Sequence, residues 1–276
     1  MSAIQEIFTT KEANSTDLIK IVYRPIRQLT LATDHQFFGG NLPWMHAHNV
    51  LWMIAFVLLA FLSFRKLFPQ HQKLISAALA LYIVMPVHAE VVANIRSRDE
   101  LISATLGMAS LYLYIRFEER KKWYQLLVAL LLIMTGMLSK LDAITYVGMW
   151  PVVWYYKNEK LKPAAIYKAL ARFTVLFFIV ALSTKIQKIL VGKPVEKETA
   201  DVGAIGNVLH LTSGYIEALP TKLYLLLLYL RNMIWPTELV YYSGNNQIPI
   251  LSYNNGWFYI ALVVWIIAIA FTLREG

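Results

Sequence analysis

The sequence contains no cysteine, which excludes disulfides and thiolate catalysis and leaves the redox compartment unmarked. Charge is also scarce. Only 16% of residues are Asp, Glu, Lys or Arg, against roughly 25% in an average soluble domain. There is no Gly-rich phosphate loop, internal repeat or low-complexity tract. The polar start, MSAIQEIFTTKEANSTDLIK, has neither the apolar region of a signal peptide nor the makings of a first span. What the chain has instead is apolar surface: 58% of its 276 residues are hydrophobic, and the mean hydropathy is +0.49. Several apolar runs approach the ~20 residues that cross a bilayer. These features predict an all-α, polytopic helical membrane protein. The net charge of +9 would point to nucleic acid in a soluble protein. Here the basic residues sit between apolar runs, which fits membrane orientation and anionic headgroups, so nucleic acid is not an expected partner.

Residues 1–46 read as an extracytoplasmic, amphipathic lead-in, and 47–273 as one transmembrane domain. Spans are expected at 47–64, 74–93 (kinked at Pro86), 101–117, 123–138, 143–156, 169–191 and 257–272. The run 221–235 lies between Pro220 and Pro236 and is short for a span, so it reads as re-entrant or interfacial. The links at 65–73, 116–122 and 157–168 are the basic ones and should be cytoplasmic. The lead-in, the corners at 94–100 and 139–142, and the loop 192–255 then share the opposite face.

The corner after Pro86 is unlike a bland membrane turn. It gathers His88, Glu90, Asn94, Arg96, Arg98, Asp99 and Glu100 between two apolar runs, a costly grouping near hydrocarbon unless it is used. Arg24, Arg96, Arg98 and Lys140 are exceptions to the positive-inside trend. They either await an anionic ligand or pair with Asp99, Glu100 and Asp142. His46 and His48 are two residues apart, which splits their rings on a helix, and no third ligand stands nearby. No metal site and no cofactor is indicated.

The stretch PVHAEVVANIRSRDELISA, residues 86–104, resembles the H-P-x-H-T-E-A-V-A-x-I-x-G-R-x-D-L-L-A-A signature of the TMTC-type protein O-mannosyltransferases and their bacterial homologues, in the GT-C glycosyltransferase superfamily. Three further stretches agree in order. Tyr23-Arg24-Pro25-Ile26-Arg27-Gln28-Leu29-Thr30 resembles Y-R-P-L-x-x-L-T. Leu138-Ser139-Lys140 resembles an L-S-K-E corner, with Leu141 in place of the acid and Asp142 one further on. Ile234-Trp235-Pro236 through Pro249 resembles W-P-x-x-L-x-x-D-Y-S-Y-N-Q-I-P. The family's earlier span with its acidic pair and its C-terminal TPR repeats have no counterpart in this sequence.

The resemblance implies a GT-C-like bundle of about seven transmembrane helices plus the re-entrant or interfacial helix. It implies transfer of a sugar from a polyprenyl-phosphate donor to a hydroxyl on an acceptor protein or glycan, away from the cytoplasm. Arg24, Arg96, Arg98 and Lys140 are then candidates to hold the lipid phosphate. Asp99, Glu90 and Asp34 are candidate catalytic carboxylates. His88, Tyr242, Asn246 and Gln247 are candidate sugar or acceptor contacts. Because the acidic pair has no counterpart, the chain as given is expected to bind lipid phosphate but to transfer sugar poorly. The alternative from another class is a non-catalytic protein that binds or transports a lipid-linked glycan. The expected location is integral and multi-pass, in a bacterial inner membrane rather than the endoplasmic reticulum.

Overall fold

The computed structural model describes residues 24–158, 214–236 and 248–275, with the isolated positions 12, 13, 21, 22, 174, 178 and 209. The span expected at 169–191 and most of the 192–219 loop lie outside the described residues. Apart from a two-residue antiparallel pairing of β1 (Glu12–Ala13) with β2 (Ile21–Val22), the described elements are helical. They form two compact units, one holding the helices between 25 and 158, the other those after 214.

Proline and glycine set the first boundaries. Pro25 opens α1 (Pro25–Phe38) in the first turn, where its missing N–H costs nothing, and Gly39 ends it at φ 60° in the left-handed region. The next helix, α2 (Leu42–Leu67), begins five residues before the expected span. Its 26 residues reach about 39 Å at 1.5 Å per residue. Leu51, Ile54, Leu58 and Leu62 form an exposed apolar stripe along it, as a lipid-facing helix requires. After it, α3 (Gln72–Val84) stops before Pro86, and a 3-10 turn leads to the short α4 (Ala89–Ala93). The two segments bend by 55°, so the kink expected at Pro86 is a break.

The centre of the larger unit is α5 (Arg98–Arg120), packed against α2 and α6 (Trp123–Ser139). Leu111 and Ile115 of α5 are fully buried with Ala129 and Ile133 of α6. Small residues bring these helices close, the usual basis of helix association in lipid. Ser110 Oγ donates to the Ala129 carbonyl at 2.8 Å. The fifth expected span is divided into a 3-10 stretch, Leu141–Gly148, and α7 (Met149–Asn158). The tightly wound 3-10 part lays Tyr146 against Gly107 of α5, where a Cβ would overlap the ring. Trp150 of α7 stacks on Tyr114 at 4.6 Å. At the far end of this unit, Glu119 takes Lys66 at 2.7 Å and Lys157 at 2.6 Å, tying α2, α5 and α7 together.

In the smaller unit, α8 (Leu219–Ile234) pairs with α9 (Gly256–Glu275). The Leu251 amide donates to Thr221 Oγ1 at 2.9 Å, and Tyr224 meets Trp257 at 5.9 Å. The 16 residues of α8 reach only about 24 Å, short of a ~30 Å hydrocarbon core. Among the described residues, α2 is long and apolar enough to cross a membrane, and the bent pair at Pro86 counts as a second if taken as one span. That is fewer than the seven spans read from the apolar runs. The span expected at 169–191 lies outside the described residues; among the others, the second and fifth break, α6 stops at 17 residues, and α5 has the length, 23 residues, but is too polar.

Candidate functional site

The charged corner folds into two clusters because α5 begins at Arg98 and its first turn points in two directions. Arg98 faces inward and is fully buried. Its Nε donates to Asn49 Oδ1 at 2.8 Å and its Nη2 to the Met45 carbonyl at 2.8 Å. Nη1 lies 2.5 Å from Asp34 Oδ2. The other oxygen of Asp34 meets His48 Nδ1 at 2.7 Å. Asn49 also donates from Nδ2 to the carbonyls of Val92 and Asn94, at 3.2 and 3.1 Å. One buried amide on α2 thus holds both the chain before the corner and the arginine after it.

Beside this cluster, Asp99 is 1% exposed and pairs with Arg24. Burial pushes the Asp99 carboxyl above the ordinary carboxylate range, although Arg24, Arg27 and Lys140 pull it down. Arg27 donates to the Arg96 carbonyl at 3.4 Å, and the Arg96 side chain is exposed.

The second cluster faces outward. Glu100, Ser103, Ala104 and Gly107 recur at helical spacing and form another face of α5. Lys140 stands opposite, 2.8 Å from Glu100 Oε1 and 3.2 Å from Asp142 Oδ2. Burial alone would lower the Lys140 ammonium, but the hydrogen bond and charge of Glu100, helped by Asp142, hold it above its ordinary value. The corner is pinned to α5 twice. Ser103 Oγ donates to the Lys140 carbonyl, and Ser139 Oγ to the Asp99 carbonyl, each at 3.2 Å.

Under Lys140 lies a cavity of about 300 Å³, at the small end of ligand-pocket size. Met53, Phe56, Val91, Val92, Leu101 and Ala104 make its apolar wall. His88, Glu100, Ser103, Lys140, Asp142 and Thr145 make its polar one, with Tyr82 and Tyr146 between. His88 packs on Tyr82 with ring centroids 3.9 Å apart, and its buried Nε2 has no hydrogen-bond partner. Glu90 is exposed and stands within electrostatic reach of Glu100 and Lys140.

Of the residues singled out in the sequence, the structure brings His88 and Lys140 to the cavity, with Glu90 close by. Arg24 and Lys140 carry carboxylate partners, the pairing alternative raised by the sequence. Arg98 and Asp34 meet each other inside the fold. Tyr242, Asn246 and Gln247 lie outside the described residues. Sequence reasoning passed over Asn49, although an amide inside an apolar run signals a buried hydrogen-bonding task. It also left Glu100 and Asp142 as mere partners. The spacing of Glu100 with the small residues Ser103 and Ala104 was a signal that a cleft opens there.

Residues 25–186 match the family described as Dolichyl-phosphate-mannose-protein mannosyltransferase, PMT_2. The chain is 30% identical over 124 residues to the Protein O-mannosyl-transferase Tmtc1 of Drosophila melanogaster. That alignment takes in 45% of this chain and 14% of the fly protein, so the chain corresponds to a small part of that relative. No solved structure matches it. The family match spans more than half of the sequence and contains the corner, both charge clusters and the cavity; the chain belongs to the dolichyl-phosphate-mannose-protein mannosyltransferase family.

Proposed function

We infer that this chain forms a membrane domain of a GT-C-type glycosyltransferase, with about seven spans. It moves a sugar from a polyprenyl-phosphate donor to a hydroxyl of a protein or glycan acceptor on the extracytoplasmic face. The observation that carries this reading is the cavity at the charged corner. It joins an apolar wall to a polar rim, as an amphiphilic donor requires, and it lies within the family-matching segment.

Arg24 and Arg96, cations of the same corner, draw the lipid phosphate and stabilise it as it leaves, while Lys140 stands on the cavity wall between Glu100 and Asp142. Arg98, sealed among Asp34, Asn49 and Met45, keeps the corner in shape. Asp34 and Asp99 are buried against arginines and serve as positioning carboxylates. Glu90, exposed beside Lys140 and Glu100, is the carboxylate open to an incoming hydroxyl. In the step we assign, the acceptor oxygen attacks the anomeric carbon and the bond from that carbon to the phosphate oxygen breaks. The phosphate keeps the electron pair, and the hydroxyl proton passes to Glu90.

The test embeds the chain in lipid nanodiscs and measures binding of dolichyl-phosphate mannose, then mannose transfer to a Ser/Thr peptide. Arg96→Ala should weaken lipid binding about 10–100-fold, the size of one charge-assisted contact. Glu90→Gln should leave binding intact and remove the weak transfer expected of this chain. Lipid binding without any transfer by the unchanged chain would favour a glycan-binding or transport role. Failure to bind the lipid at all would overturn both.

A further inference from the structure

The geometry points to the cavity under Lys140 as the seat of the donor's neutral hexose, with the lipid phosphate held outside it. This inference rests on the donor-binding reading above.

Charge decides between sugar and phosphate. Lys140 is the ammonium on the cavity wall, and two carboxylates already cover it, Glu100 at 2.8 Å and Asp142 at 3.2 Å. A phosphate entering here must displace a carboxylate from Lys140 and then lie beside it, two like charges in a half-closed space. Glu90 adds a third negative charge close by. A sugar meets no such penalty. Its hydroxyls donate to the free lone pairs of the two carboxylates and accept from Lys140 while the ion pairs persist.

Two further features favour a ring with hydroxyls. The buried Nε2 of His88 has no hydrogen-bond partner and belongs to a cavity-lining residue, so a hydroxyl there relieves an unmet polar atom. Tyr82 and Tyr146 flank the polar wall with aromatic surface on which the apolar face of a pyranose can rest. The phosphate, one bond from the anomeric carbon, is then directed to the arginines of the corner rather than into the acid-rich space.

The experiment compares two lipids on the same nanodisc-embedded chain: dolichyl-phosphate mannose and dolichyl phosphate without sugar. Asp142 is largely exposed, so Asp142→Asn perturbs folding little. It should weaken the sugar-bearing lipid about 10-fold and leave the bare lipid within about 2-fold. His88→Phe should give the same selective loss, and His88→Gln should restore part of it. A site built for phosphate predicts the reverse: removing the Asp142 charge frees Lys140 and tightens both lipids together. That result, or an equal loss for both, overturns the inference while leaving the donor reading in place. Binding of neither lipid by the unchanged chain overturns the donor reading and the inference with it.

Discussion

Arg98 and Lys140 are cations of one corner, and each has acidic company, yet their surroundings are opposite. Arg98 is sealed, with an aspartate, an amide and backbone carbonyls around its guanidinium. Lys140 is part-exposed, its partners Glu100 and Asp142 reach solvent, and a cavity opens beneath it. A buried ion pair whose every partner comes from the fold has no valence left for a ligand. An open pair on a cavity wall can exchange partners. The difference separates the residues that build the corner from those that act at it.

The largest expected effect tests the sealed side. Arg98→Ala strands Asp34 in a dry environment and should cost about 3–5 kcal/mol of unfolding free energy, read as loss of monodisperse protein or a large drop in thermal midpoint in detergent. An Arg98→Ala protein as stable as the parent would collapse the distinction. Next, Asn49→Ala removes the acceptor for Arg98 Nε and the donor to Val92 and Asn94. It should cost about 1–3 kcal/mol in the same assay. On the open side, Lys140→Ala should change stability by less than about 1 kcal/mol while reducing mannose transfer, and a stability loss matching that of Arg98→Ala would make Lys140 a building residue instead.

The smallest effect is a pH dependence. The folded-state pKa of Asp99 is raised by burial. Its contribution to stability is therefore fully present below the unfolded value of about 3.9 and is lost as pH rises through the folded value. Asp99→Asn removes that slope. The stability advantage of the parent over the variant should shrink between pH 3.5 and pH 7, followed by chemical denaturation at each pH.

The helices with a simple signal were legible from sequence. The apolar run of α6 has no internal Pro or Gly near its start, and its boundaries agree with expectation. Pro86 announced a break, but not its size. The 3-10 half of the fifth expected span was hidden, because its apolar pattern equals that of an α-helix, and the packing of Tyr146 on Gly107 is a tertiary contact that periodicity does not show. At the site, the motifs located the corner but not its two sides. Arg96 and Arg98 are two residues apart, and which one turns inward depends on where α5 begins, a boundary that composition does not fix. The partner of Arg98 was harder still, since Asp34 comes from another helix far along the chain.

Gly107 has a consequence for the cavity although it does not line it. Its missing methyl is the space in which the Tyr146 ring rests, and Tyr146 forms part of the cavity wall. The bore of the cavity is thus governed from behind, by an atom that no ligand meets. Any side chain at this position, even the methyl of Ala, must displace the Tyr146 ring and so reshape the chamber from a place that none of Glu100, Lys140 or Asp142 occupies. Tolerance for the girth of a guest can change there independently of the groups that grip it, so related chains can diverge in what they admit while sharing the same polar rim.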